Sequence, residues 1–401
     1  MPLFYVISHY FNLPFRAWEQ RKLRDIANYR NGKAHEQVED EDGKYTIINS
    51  KFISTNGKVQ RYTNEQVEPI FDGEIAMVLS DLPNGKALAK LFLVKEDGKY
   101  TLNQRIAGIT PNENIDPIFL NFRMNRNNYF LKFDSGVTQT NLSKSQVENF
   151  IALYPTFDEQ YKIGLFFTQL DDTIALHQRK LDTLKRMKKG LLQQMFPNNE
   201  EKVPRLRFAD FNEKWERCKI SSFARNTYGG GTPKTNVPEY WQGRIPWIQS
   251  GDLLIDSLFN IIPKKHVTGS AVKSSATKCI PANSIAIVTR VGVGKLAFIP
   301  FEYTTSQDFL SLSNLRVDSN FGTYSIYIML QRELNNIQGS TIKGITKSDL
   351  LEKNINKPLN RIEQERIGVS LKLLDNIITL HQSKLEKLSS LKKVYLQRMF
   401  I

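Results

Sequence analysis

The sequence predicts an α+β protein: two globular mixed α/β domains separated by two long helices that form an antiparallel coiled coil, arranged as a pseudo-two-fold internal repeat. Three observations carry this reading. The stretch from Thr156 to Phe196 recurs from Asn360 to Phe400, the segments ahead of the two copies share their turn positions, and short β-like runs fill both segments.

Each long stretch opens on a cap pattern, Thr156-Phe-Asp-Glu159 and Asn360-Arg-Ile-Glu363. There the cap oxygen and the glutamate three residues on can each take an orphan backbone N–H. Pro155 and Pro358 stand just ahead and discourage helix from running backwards, and Pro197 stops the first copy. Apolar residues then recur in steps of three and four. The seam of the first copy holds Ile163, Leu170, Ile174, His177, Leu181 and Leu184; that of the second holds Ile367, Leu374, Ile378, His381, Leu385 and Leu388. This is the heptad of a coiled coil. The polar seam positions match as well: Gln160 with Gln364, His177 with His381, Lys188 with Lys392. Such matching at one constant offset marks an internal duplication.

A helix of about forty residues spans roughly 60 Å and cannot bury its own seam, so the other copy is its natural partner. Parallel pairing would require the intervening domain to carry the chain back along the full rod. Antiparallel pairing lets it bridge neighbouring ends. The two histidines then fall near the middle of the pair, as polar seam residues that fix register.

The expected boundaries are a lead-in over 1–17, a first domain over 18–155, the first long helix over 156–196, a polar linker over 197–214, a second domain over 215–358 and the second long helix over 359–401. The domains open alike, at Trp18-Glu-Gln-Arg-Lys22 and Trp215-Glu-Arg-Cys-Lys219. In the first, runs such as Glu74-Ile-Ala-Met-Val-Leu79 read as strands, punctuated by Asn56-Gly57, Asn84-Gly85 and Asp97-Gly98. In the second, Ser284-Ile-Ala-Ile-Val-Thr-Arg290 is the clearest strand, among Gly229-Gly-Gly-Thr-Pro233, Tyr240-Trp-Gln and Gly339-Ser-Thr-Ile-Lys343. Turn residues align between the domains: Gln104 with Gln307, Gly136 with Gly339, Lys144-Ser145 with Lys347-Ser348, Ile48-Asn-Ser50 with Ile248-Gln-Ser250, and Asn84-Gly-Lys86 with Val293-Gly-Lys295. Elsewhere the domains diverge. One scaffold carries two loop sets, which suits two recognition surfaces better than one duplicated catalytic site.

The chain carries 55 basic against 41 acidic residues, a net charge of +14, which favours a polyanion partner, most often nucleic acid. The two cysteines, Cys218 and Cys279, form no CxxC, so neither a disulfide framework nor a structural zinc is expected. No apolar run approaches the length of a membrane span, and the apolar start lacks a basic n-region and a cleavage site; the expectation is a cytoplasmic chain with no membrane partner. HExxH and GxSxG are missing. Val291-Gly-Val-Gly-Lys295 lacks the GxxxxGK[ST] spacing, with Leu296 where a metal-binding hydroxyl would be needed. No catalytic residue, metal or cofactor is expected in this chain.

The loops suit double-stranded DNA. Arg and Lys read guanine edges, Asn and Gln read adenine, Ser and Thr serve either, and phosphates take Lys, Arg and hydroxyls. The candidate contacts in the first domain are Asn49, Ser50, Lys51, Asn84, Lys86, Gln104, Arg105 and Gln139. In the second they are Gln249, Ser250, Arg290, Lys295, Gln307, Thr341 and Lys343. Trp241 and Trp247, flanking Arg244-Ile-Pro246, read as packing residues.

Two divergent domains, each followed by a copy of one long helix, resemble the DNA-specificity subunit of type I restriction-modification systems. The most specific parts are Gly230-Gly-Thr-Pro233 with Ile245-Pro-Trp-Ile248, Gly339-Ser-Thr-Ile-Lys-Gly-Ile-Thr-Lys-Ser-Asp-Leu350, the lead-in Val203-Pro-Arg-Leu-Arg-Phe208, and the helix ends Leu-Leu-Gln-Gln-Met-Phe196 and Tyr-Leu-Gln-Arg-Met-Phe400. The first domain has no Gly-Gly-Thr-Pro element. The resemblance implies two target-recognition domains, each reading one half of a split DNA site, with the coiled coil fixing the gap. It also implies two modification (methyltransferase) subunits carrying S-adenosylmethionine, and restriction (translocase and nuclease) subunits using ATP and magnesium. On that reading this chain is a non-catalytic subunit of a restriction and adenine-N6 methyltransferase complex. The alternatives are a non-specific DNA-binding coiled-coil scaffold protein, whose affinity would ignore sequence, and an enzyme that binds S-adenosylmethionine by itself.

Overall fold

The computed structural model describes residues 18–35, 37–83, 85–198, 200–336 and 344–400. The chain splits into two compact units, one of Met1–His177 with Lys384–Ile401 and one of Gln178–Ser383. The expected lead-in over 1–17 lies outside the described residues. The long helices run over Phe157–Gln194 and Arg361–Met399. Among the described residues no helix is long and apolar enough to cross a membrane.

In the first unit a four-stranded antiparallel sheet has the order Ala27–Asn31, Ile106–Pro111, Ile75–Val78, Leu91–Leu93. Its strand Ile75–Val78 is buried on both faces, so its side chains divide by the period of two. Ile75 and Met77 enter a core with Leu23, Phe119, Leu120, Phe130, Ile163 and Phe167. Ala76 and Val78 enter a second core with Ile48, Phe52, Ile70 and Leu102. The strands behind that second core, Tyr45–Ile48 and Tyr100–Leu102, run parallel. Strand Glu19–Lys22 pairs with Ile151–Tyr154 and closes the domain.

The second unit repeats this plan. Its sheet has the order Ala224–Gly229, Phe309–Leu315, Ser284–Val288, Leu296–Ile299. Ile285 and Ile287 face one core, Ala286 and Val288 the other. Ile245–Ile248 and Thr304–Thr305 form the parallel pair, and Glu216–Lys219 with Asn354–Lys357 the closing pair. Mixed α/β domains therefore occur twice.

The long helices supply walls to both cores. In the first unit, Phe166 meets Tyr395 edge-on at 5.6 Å, Phe400 stacks on Phe167 at 5.7 Å, and the buried Arg123 donates to the Phe400 carbonyl. In the second, Phe196 stacks on Phe321 at 5.6 Å beside Trp215, and Arg332 donates to the carbonyls of Phe196 (3.1 Å) and Pro197 (2.9 Å). Along both helices the heptad positions Ile163, Leu170, His177, Leu181, Ile367, Leu374 and Leu385 are buried, and Ile174, Leu184, Ile378, His381 and Leu388 half-buried.

Matched polar residues of the two helices repeat their contacts too. Gln160 accepts from the Asp116 N–H at 3.0 Å and donates to the Pro155 carbonyl; Gln364 does the same with Asp318 (2.9 Å) and Pro358. Lys188 pairs with Asp375 at 2.5 Å in the second unit, and Lys392 with Asp171 at 2.5 Å in the first. The cap glutamates correct the sequence reading. Glu159 accepts from the Trp18 indole at 3.2 Å, and Glu363 from the Trp215 indole at 3.1 Å and from Arg207 at 2.7 and 2.9 Å. An indole N–H withdrawn from water, buried at Trp215 and half-buried at Trp18, needs an acceptor, and the carboxylate goes there, not to the helix backbone.

The glycines inside the long helices have a steric cause. A Cβ on Gly368 would lie 2.6 Å from the Phe321 backbone nitrogen and 2.7 Å from Asp318 Oδ1; one on Gly164 would lie 2.9 Å from Asp116 Oδ1. Each glycine admits the capped start of a crossing helix. We therefore expect Gly368→Ala to destabilise the protein in denaturant unfolding, although in an open helix the same change stabilises by about 1 kcal/mol.

One acid-sensitive network sits in the first unit. Arg30 forks onto both oxygens of Glu74 at 2.6 Å and reaches Glu68 at 3.1 Å. Burial alone would raise the Glu74 pKa, but the bonds from Arg30, Thr110 and the Phe71 N–H hold it below the ordinary 4.5. A carboxyl lowered on folding adds stability above its unfolded pKa and loses it as pH falls through the folded one. Unfolding followed against pH should show this contribution intact above about pH 4.5 and lost below it, and the Glu74→Gln variant should lack that acid limb.

Candidate nucleic-acid interface

In the second unit the parallel strand ends build one rim. The Ile248 carbonyl accepts from the Ser306 N–H at 3.0 Å, which sets the turn at Gln249 beside Gln307. Gln249 and Asp252 close a reciprocal capping box across Ser250–Asp252. Lys295 donates to the Ser250 carbonyl at 3.1 Å. The exposed Gln307 accepts from the Thr232 hydroxyl at 2.6 Å. Thr232 belongs to the Gly229-Gly-Gly-Thr-Pro233 element, and a Cβ on Gly230 would lie 2.0 Å from the Ser306 carbonyl oxygen. The glycines thus let this loop lie against the strand end. Thr289 donates its N–H to the Asp308 carbonyl at 2.7 Å, placing exposed Arg290 with its Nε 3.9 Å from Asp308 Oδ1. The Ile345 N–H closes on the Thr289 carbonyl at 2.8 Å.

The rim thus gathers Gln249, Ser250, Arg290, Lys295 and Gln307. Thr341 and Lys343 lie outside the described residues. Gly292 and Gly294 take left-handed φ of 93° and 97° in a turn joining two antiparallel strands, so Val291–Lys295 is a hairpin with no helix behind it. Trp247 is buried and donates to the Gly231 carbonyl at 3.1 Å, with Trp241 edge-on at 5.0 Å; both are packing residues.

The first unit builds the same rim. The Ile48 carbonyl accepts from the Asn103 N–H at 3.1 Å, setting Asn49, Ser50 and exposed Lys51 beside exposed Gln104 and Arg105. Asn49 caps the helix Ser50–Ser54, accepting from the Phe52 N–H at 2.8 Å. Leu79 donates to the Arg105 carbonyl, Leu142 to the Leu79 carbonyl, and Gln139 to the Ser80 hydroxyl at 2.7 Å. Lys86 is exposed on the excursion after Asp81 and is not tied to this network; Asn84 lies outside the described residues.

Register corrects one correspondence and adds a residue. Val78 donates its N–H to the Lys90 carbonyl at 3.0 Å as Val288 does to Lys295 at 2.9 Å. The Lys90 ammonium then donates to the Ser54 carbonyl at 3.0 Å, as that of Lys295 does to Ser250. Lys90, not Lys86, is the counterpart of Lys295. The first hairpin is longer: Asp81 collects the N–H groups of Leu82, Ala87 and Leu88 and folds the extra residues into a turn. That insertion carries the Gly-Lys pair off register, which is why the sequence pointed to Lys86.

Comparisons with known proteins agree with the duplicated plan. The family model described as type I restriction modification DNA specificity domain matches residues 16–186 and again 212–390. The type I restriction enzyme EcoR124I/EcoR124II specificity subunit of Escherichia coli is 35% identical over 175 residues, 40% of this chain and 40% of that one. The type I restriction enzyme MjaVIII specificity subunit of Methanocaldococcus jannaschii is 21% identical over 401 residues, 94% of this chain and 90% of that one. The crystal structure of the type I restriction-modification S subunit from M. genitalium shares the fold, with a TM-score of 0.64 at 12% identity and 98% of both chains covered. A chain from a structure of type I R-M complex assembly and conformational transition gives a TM-score of 0.54 at 16% identity, over 96% of this chain and 98% of that one. With its domain matched twice and most of its length covered, this chain belongs to the type I restriction modification DNA specificity family.

Proposed function

We propose that this chain chooses the DNA site for a type I restriction-modification complex, each rim reading one half of a bipartite duplex target. The observation that carries the reading is one backbone scaffold built twice with different side chains on it: Asn49 against Gln249, Ser80 against Arg290, Arg105 against Asp308. A single duplicated chemistry would keep its residues; two readers of different sequence would not. Gln104 and Gln307 remain at the shared turn, with Arg105, Arg290, Lys90 and Lys295 near them, a set suited to base edges and phosphates.

The two long helices pair antiparallel as a pseudo-two-fold coiled coil that sets the gap between half-sites. Support comes from the ion pairs Lys188–Asp375 and Lys392–Asp171, which exchange under the repeat, and from the buried Gln160 and Gln364 at equivalent helix starts. Two modification subunits would bring S-adenosylmethionine and the adenine-N6 chemistry, base flipping included, and restriction subunits would bring ATP and magnesium. The chain itself contributes recognition and no catalysis, in the cytoplasm.

Selection of bound duplexes from a randomised pool by the full chain should enrich two short elements at one fixed separation. Affinity that falls with salt and enriches no sequence would replace this reading with a non-specific scaffold. Inserting one heptad at matched positions of both helices should lengthen the gap by about three base pairs, since seven helical residues rise roughly 10.5 Å. An unchanged gap would remove the spacing role, and a heptad in one helix alone should break the pairing.

A further inference from the structure

The two rims differ at one corner in a way that singles out an arginine. The bond from Leu79 N–H to the Arg105 carbonyl is the counterpart of that from Thr289 N–H to Asp308. The residues flanking this corner are Ser80 and Arg105 in the first unit, Arg290 and Asp308 in the second. One guanidinium stands at each corner, but on opposite strands, and among the described residues it is the second that has a carboxylate facing it, Asp308.

An acid on a rim that meets a polyanion is repelled by phosphate, so its place there needs a cause. Asp308 is anchored: its carbonyl takes both the N–H (2.7 Å) and the hydroxyl (3.0 Å) of Thr289, and its Oδ2 the Ser306 hydroxyl at 3.3 Å. Its side chain is 19% exposed, against 66% for Arg290. The atom of Arg290 that faces it is Nε, 3.9 Å from Oδ1. A guanidinium steered through Nε presents its two terminal nitrogens together, the fork that matches guanine O6 and N7.

Resting on the DNA-reading role, we propose that Arg290 reads a guanine in the half-site of the second unit and that Asp308 is its positioning residue. The arginine specifies and the aspartate aims it; a lysine at 290 would keep the charge and lose the fork.

The test is the randomised-duplex selection, run on the full chain as wild type, Arg290→Lys and Asp308→Asn, with circular dichroism to confirm that each variant is folded. Arg290→Lys should hold its affinity for unselected DNA within about twofold while preference for guanine at one base pair falls at least about tenfold, the other half-site unchanged. Asp308→Asn should relax that same base pair by a smaller factor and no other. Retention of the guanine by Arg290→Lys would make position 290 a phosphate contact and overturn the proposal. Relaxation of a cytosine by Asp308→Asn that Arg290→Lys leaves intact would make the acid itself the reader, and also overturn it. A wild-type chain that enriches no motif would defeat the DNA-reading role itself, an outcome separate from either of these.

Discussion

Phe196 lies face to face with Phe321 beneath Trp215, and Phe400 lies face to face with Phe167 beside Phe119. Burying such a ring stabilises by about 2 kcal/mol or more, and here it does so where a helix end would otherwise fray. Each core therefore takes residues from both long helices: Ile163, Phe167, Tyr395 and Met399 in the first unit, Leu191, Leu192, Ile367 and Leu371 in the second. The sheets, the tryptophan–glutamate bonds and the rims all rest on cores closed in this manner. The carbonyls at the helix ends would be orphans, and arginines from the domains, the buried Arg123 and the half-buried Arg332, take them up.

Much of this was legible from residues alone, for reasons that can be named. The two long helices announce themselves because a helix has one period, and Gln160 and Gln364 or Lys188 and Lys392 stand out as matched positions because polar residues are rare on an apolar stripe. Gln104 and Gln307 could be equated because they align at one offset with Gly136 and Gly339, and in the fold each stands just past its parallel strand. Other features depend on distant partners. Glu159 and Glu363 looked like cap residues because local spacing is all a sequence displays; the indoles that take them stand more than a hundred residues away. Lys90 was hidden by an insertion whose turn is held by Asp81, a contact with no periodic signature. Asp308 drew no notice because a single acid near basic loops has no meaning until its arginine is placed.

The rims show how one fold holds two sets of side chains. Backbone bonds fix the corners in both domains, and they ask nothing of the side chains. The Ile48–Asn103 and Ile248–Ser306 bonds, and the Val78–Lys90 and Val288–Lys295 bonds, are the same bonds made by different residues. Side chains can then change at exposed positions without a cost to packing, since core and rim use different atoms of the same strands. The glycines of Gly229-Gly-Gly-Thr-Pro233 are an exception, held by steric contact with the strand end.

The composition of the first core has a bearing on how the protein is made. Phe119, Phe122 and Phe167 leave the ribosome early, whereas Tyr395, Met399 and Phe400, which complete their packing, follow more than two hundred residues later. At ordinary elongation rates the interval is roughly ten to forty seconds. Throughout it the first domain presents an unfinished aromatic wall, while the second, translated after it, can assemble around Phe196 and take in Ile367 and Leu371 before Tyr395 and Phe400 emerge. The domain born first is the one that matures last.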